Sequence, residues 1–181
     1  EHTKETLWHL YNHPCIIAYT IFNEGWGQFD SDEMYTYVKA LDNTRLVDST
    51  SGWFAQRKND FDSEHIYFRL KEFTVKKRPL LISECGGYKL FNKEHFFGKK
   101  EYGYGTCKDS TDLTNRIVEM YEKMVLPGIP EGICRCVYTQ LSDVEGEING
   151  LYTYDREVCK VEKDAMLDIA KQIKQIVSKL S

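Results

Sequence analysis

The sequence predicts an α/β chain, a parallel sheet with helices packed outside it. Three observations carry that prediction. Short apolar runs alternate with stretches of helical periodicity along the chain. Two of those runs, ending Ile-Phe-Asn-Glu24 and Leu-Ile-Ser-Glu84, read as buried strands that close on a carboxylate. In an α/β barrel that strand end is the catalytic face. Finally, the 181 residues fall short of the roughly 250 typical of an eight-stranded barrel. The chain is therefore either an open α/β sheet or part of a larger barrel.

The elements follow in order. Glu1 to Tyr11, with Leu7, Trp8, Leu10 and Tyr11, reads as the end of a helix that Pro14 prevents from continuing. Cys15 to Asn23 is the first strand. Ser31 to Leu41 is a helix, with Ser31 as N-cap and Met34, Val38 and Leu41 on one face. Arg45 to Ser49 is a short strand, followed by a polar loop with Asn59 and Asp60; Glu64 to Tyr67 is another short strand. Leu70 to Lys77 is expected to be an irregular helix, and Leu80 to Ser83 the next strand. Gly86 to Lys108 has no sustained period, and a stretch of that length without regular structure is usually functional. Asp112 to Val125 carries the stripe Leu113, Ile117, Met120, Tyr121, Met124 and is expected to stop at Pro127. Cys134 to Gln140 is the fifth and last strand, and Ser142 to Thr153 an acidic loop. The chain closes with a helix over Val161 to Leu180, whose core face is Leu167, Ala170, Ile173, Ile176, Val177 and Leu180. There is no internal repeat.

A net charge of -4 and 41% hydrophobic residues describe an ordinary soluble domain. The charge gives no reason to expect nucleic acid or a polybasic membrane contact. No apolar run approaches the roughly 18 residues of a spanning helix. The chain opens Glu-His-Thr-Lys, without an initiator Met or a signal peptide, and is expected to be a processed or excised piece of a cytoplasmic protein. Cys15, Cys85, Cys107, Cys134, Cys136 and Cys159 show no CxxC spacing, so neither a metal nor a redox motif is expected. Cys15, Cys134 and Cys136 read as small apolar residues inside strands. Scattered thiols fit a reducing compartment. No glycine-rich GxGxxG or Walker-type phosphate loop is present.

The chemistry sits on Glu24 and Glu84. A carboxylate at the end of a buried strand is costly unless it is hydrogen-bonded or opens into a cleft. The placement occurs twice, and Gly25, Gly27, Gly86 and Gly87 follow the two glutamates closely, freeing the backbone to turn toward a ligand. Two facing carboxylates are what glycoside hydrolysis needs.

Three segments carry a resemblance. The run from Asn12 to Gly27, with Ile-Phe-Asn-Glu-Gly-Trp-Gly at its end, resembles the acid/base segment of glycoside hydrolase family 2, the β-galactosidase and β-glucuronidase family. Leu81-Ile-Ser-Glu-Cys-Gly-Gly-Tyr is similar to its nucleophile segment, and Cys136 to Asp155 to its last barrel strand and following loop. The resemblance spans 1–181, in family order. It implies a partial (β/α)8 TIM barrel, strands four to eight with their outer helices, lacking strands one to three and the β-sandwich domains that precede them. It implies hydrolysis of terminal β-glycosidic bonds by a retaining mechanism, with Glu24 as general acid/base and Glu84 as nucleophile. Specificity is read as β-galactosidase-like, with β-glucuronidase or β-mannosidase as alternatives. Asn92-Lys93 lies only eight residues past Glu84 and is not equated with a glucuronidase carboxylate clamp. A non-catalytic carbohydrate-binding or structural domain is the rival reading.

Around the two glutamates, Asn23 is placed to bond the sugar 2-hydroxyl. The resemblance, in which this strand end carries a tyrosine near the nucleophile, makes Tyr67 a candidate to orient Glu84. His65 is a sugar ligand or, equally, a structural histidine. Trp26 is a stacking platform, Trp53 is either platform or core, and Gln140, Asp143 and Glu145 are candidate pocket residues. The expected partner is a carbohydrate, with no cofactor and no metal. Self-association is expected through the apolar edges Cys15 to Asn23 and Cys134 to Gln140, where Arg135 is the one charge.

Overall fold

The βαβ pattern of the sequence appears near the chain's beginning. In the computed structural model, which describes residues 1–54, 56–74 and 77–180, the chain divides into two units, Glu1–His65 with Val75–Ser83 and Ile66–Thr74 with Glu84–Ser181.

In the first unit, α1 (His2–Leu10) precedes β1 (Ala18–Asn23), α2 (Ser31–Leu41) and β2 (Leu46–Ser51). β1 and β2 pair in parallel, Ala18 opposite Leu46 and Asn23 opposite Ser51. Parallel neighbours need a crossover, and α2 supplies it. Leu7, Val38 and Val47 form the buried core, with Tyr19, Ile21, Tyr35 and Leu41 packed on it. The α2–β2 turn is fastened by Asp42, which accepts from the Thr44 amide at 2.9 Å, the Thr44 hydroxyl at 2.6 Å and Arg45 at 2.7 Å. Arg45 reaches on to the Ile16 and Tyr11 carbonyls at 3.0 and 2.6 Å. β3 (Asp62–Ile66) and the start of β4 (Leu80–Gly86) complete the unit.

Three expectations differ from the structure. β1 starts at Ala18, because Ile16 N–H closes a turn onto the His13 carbonyl at 3.1 Å; Cys15 lies outside the strand and is exposed. β1 is half exposed rather than buried. The α2 N-cap is Asp30, not Ser31: Asp30 takes a left-handed backbone (φ 41°) and its carbonyl accepts from both Glu33 and Met34 at 2.9 Å, while Ser31 is the buried first helical residue.

In the second unit, Gly86 to Lys108 holds more structure than its sequence shows: β5 (Tyr88–Lys89), a 3-10 turn at Lys93–His95, and β6 (Tyr104–Thr106), parallel to β5. Elements of two or three residues carry no readable period. α3 (Ser110–Met120) is capped by Asp109, whose carboxylate accepts from the Asp112 amide at 2.8 Å. It runs through a π turn, Tyr121–Val125, into α4 (Leu126–Gly128). Pro127 thus lies within the helical path instead of stopping it. At the start of a new helical turn, proline's missing N–H deletes no bond. β7 (Ile133–Thr139) lies beside the end of β4, with the Gly87 amide donating to the Thr139 carbonyl at 3.0 Å. α5 (Lys163–Val177) buries Ile169, whereas Leu167 is 56% exposed. Its core face is rotated from the predicted one. The core of this unit gathers Leu90, Cys107, Leu113, Ile117 and Val161. Residues 70–74 form no helix, and 75–76 lie outside the described residues. Among the described residues no helix is long and apolar enough to cross a membrane.

Candidate active site

β1 delivers Asn23 and Glu24. The parallel register sets Asn23 opposite Ser51, whose hydroxyl donates to Asn23 Oδ1 at 2.7 Å and fixes the amide. Glu24 then leaves the strand on a left-handed backbone, φ 56°, with its N–H bonded to the Ser51 carbonyl at 2.9 Å. A non-glycine residue held there is strained, and such strain gathers at functional positions. The Glu24 carboxylate lies 2.9 Å, by Oε1, from His65 Nδ1; the histidine side chain is 0% exposed and the glutamate side chain 16%.

His65 is seated by a glycine. Gly52 has φ +72°, and a Cβ there would stand 2.4 Å from the His65 ring. Its amide donates to Ser63 Oγ at 3.3 Å, and Ser63 is bonded in turn to Ser83 Oγ at 2.7 Å. The Trp53 ring lies 6.3 Å from the imidazole, tilted. Asp48 is buried on the same strand as Ser51; burial pushes its carboxyl up, against the opposing bond from Asn59 at 2.9 Å. Trp26 is 82% exposed, its ring turned to solvent.

In the second unit, Glu84 stands near the C-terminal end of β4 and accepts a hydrogen bond from the Tyr67 hydroxyl. Tyr67 also reaches Thr139 Oγ1 at 3.3 Å and stacks on Tyr104 with ring centroids 4.1 Å apart. Burial, then the bond to Glu84, pushes the Tyr67 phenol far up, so it remains a protonated donor. Gly87, φ +65°, lets the backbone pass these rings: a Cβ there would be 2.7 Å from Tyr104 and 3.0 Å from Tyr67. Tyr67 also borders a cavity of about 330 Å³ with Phe68, Arg69, Tyr88 and Arg116.

The Gln140 amide donates to Glu147 at 2.9 Å and Asn149 at 2.8 Å. With Tyr102 and Glu145, Gln140 borders an open groove. Asp143 is buried and bound to Lys160 Nζ at 2.7 Å, so it is a strut of the loop and not a pocket residue. Lys160 is 1% exposed and donates also to the Leu90 and Ile148 carbonyls, at 3.2 and 3.0 Å.

The structure thus brings His65 to Glu24, Ser51 to Asn23 and Tyr67 to Glu84. Sequence reasoning missed Ser51, Gly52, Ser63, Tyr104 and Thr139. Only Gly52-Trp53, a glycine and an aromatic directly after a strand, left a visible signal. A phenol hydroxyl fixes the orientation of one carboxylate and an imidazole nitrogen that of the other. A family model described as glycosyl hydrolases family 2, TIM barrel domain, matches residues 1–124. No curated protein matches the chain.

Proposed function

As the chain belongs to glycosyl hydrolase family 2 through that family's TIM barrel domain, we propose that it hydrolyses terminal β-glycosidic bonds with retention, in the β-galactosidase manner. Glu84 is the nucleophile and Glu24 the general acid/base. The observation that supports these roles is the partner each strand-end glutamate has taken: a buried phenol, Tyr67, for Glu84 and a buried imidazole, His65, for Glu24.

In the first step the Glu84 carboxylate attacks the anomeric carbon while Glu24 gives its proton to the leaving oxygen. Tyr67 keeps Glu84 aimed. In the second step Glu24, now a base, takes a proton from water, which displaces Glu84. His65 holds the Glu24 carboxylate in place through both steps. Asn23, its carbonyl side occupied by Ser51, presents its NH₂ to the sugar 2-hydroxyl. Trp26 offers a face to the sugar ring, and Gln140 borders the substrate groove with Tyr102 and Glu145.

The test is made in the protein that carries the complete barrel. Glu84→Gln abolishes turnover of every nitrophenyl glycoside. Glu24→Gln spares the first step for activated phenols, which need little protonation. Azide restores Glu24→Ala by supplying an anion that needs no base. Equal loss with all leaving groups and no azide rescue would overturn the roles. In a crystal structure the two carboxyls are expected about 5 to 5.5 Å apart; about 6.5 to 9.5 Å would mean inversion.

A further inference from the structure

Cys85 and Cys136 are 51 residues apart in sequence and face each other in the second unit, Sγ to Sγ 3.4 Å. Cys85 follows Glu84 on β4, and Cys136 lies on neighbouring β7. A disulfide needs sulfurs about 2.05 Å apart, so closure asks for a movement of about 1.4 Å.

The two thiols are unlike. Cys85 is 0% exposed, and its S–H has two acceptors in reach, Cys136 Sγ and the Val137 carbonyl, each at 3.4 Å. Cys136 is half-buried and lines an apolar groove of about 230 Å³ with Tyr121, Ile173 and Val177. The hydrogen bond from Cys85 holds the Cys136 thiol below its ordinary range against the upward push of burial, and Tyr121 adds a second bond in the same direction. The same bond, with burial, pushes Cys85 up. Of these two thiols, the one that borders a groove and is held below its ordinary range is the more reactive toward a small oxidant.

We propose that Cys85 and Cys136 form an oxidation site for small peroxides, closing to a cross-strand disulfide one residue from Glu84. The Cys136 thiolate attacks one oxygen of hydrogen peroxide; the O–O bond breaks and the other oxygen leaves as hydroxide, protonated to water. Cys136 is now a sulfenic acid. The Cys85 sulfur attacks the Cys136 sulfur, the S–O bond breaks, and hydroxide departs with the Cys85 proton as water. The two thiols lose two electrons, and one peroxide becomes two waters. The bond would tie the strand bearing Glu84 to the strand bearing Thr139, the two residues that Tyr67 bridges.

The test treats the reduced 181-residue protein with limiting hydrogen peroxide, alkylates the remaining thiols and maps the peptides. A cross-linked peptide pair containing Cys85 and Cys136 is expected, in protein lighter by two hydrogens. Cys136→Ser abolishes it. Cys85→Ala leaves Cys136 as a sulfenic acid that dimedone captures. Oxidation of Cys15 or Cys134 while Cys85 and Cys136 remain alkylated would overturn the proposal. So would Cys136 passing to sulfinic acid in the unsubstituted chain with no cross-link. The readout is chemical, and holds or fails independently of glycoside hydrolysis.

Discussion

At the scale of single residues, the partners of the two glutamates decide what can be tested. Tyr67→Phe keeps the ring on Tyr104 and deletes the hydroxyl that donates to Glu84 and reaches Thr139. A hydrogen bond to a charged group contributes about 1.5–3 kcal/mol, so kcat is expected to fall roughly 10- to 100-fold with the fold intact, read by steady-state kinetics beside circular dichroism. Gly52 and Gly27 allow a cleaner comparison. Their φ angles are +72° and +76°, but only Gly52 abuts a ring, that of His65. Alanine at either position strains the backbone by about 1 kcal/mol or more. Urea unfolding is expected to show the larger loss for Gly52→Ala, and equal losses would mean that His65 is not seated by this glycine. Glu24 and Glu84 were legible because each ends an apolar run. Their partners were not: His65 lies 41 residues from Glu24, and its bond depends on strand register, which composition does not reveal. Cys85 and Cys136 were hidden in the same way, by separation and not by residue type.

At the scale of elements, long periodic segments were readable and short or polar ones were not. α2 and α3 stand where their stripes place them, because Val38 must be buried in the core of the first unit and Leu113 and Ile117 in that of the second. β5 and β6 are too short to show alternation. α5 is amphipathic with apolar residues on more than one side, so the sequence did not single out Ile169 over Leu167. Lys160 falls between the predicted acidic loop and the last helix, yet it ties Leu90, Asp143 and Ile148 together. Lys160→Met leaves the Asp143 carboxylate buried without its cation, at an expected cost of about 3–5 kcal/mol; adding Asp143→Leu should recover much of that loss in denaturant titrations. The α2–β2 turn gives a pH test. Burial pushes Asp42 up, but its bonds from Thr44, Arg45 and Tyr19 outweigh this and hold it at about 2, below its ordinary 3.8. A lowered folded-state value means that the unfolded chain binds the proton more tightly. The stabilisation is therefore present above pH 3.8 and lost as pH falls through about 2. Thermal melts of Asp42→Asn should show a flatter decline over that window.

At the scale of the molecule, the family match ends at residue 124, before β7 and α5. β1 has β2 as its one hydrogen-bonded neighbour among the described strands, and β7 has β4. We propose that these open edges pair with a second copy of this chain. Light scattering should then give a mass above that of one chain, rising with concentration, whereas a constant single-chain mass at high concentration would refute it. The backbone passes between the two units at residues 65–66, 74–75 and 83–84. No single scission can therefore release either unit as an uninterrupted polypeptide. A piece beginning at Glu84 leaves behind Tyr67, the hydroxyl that holds it. For this chain, mixing separately made fragments and asking whether they reassemble is more informative than trimming it from either end.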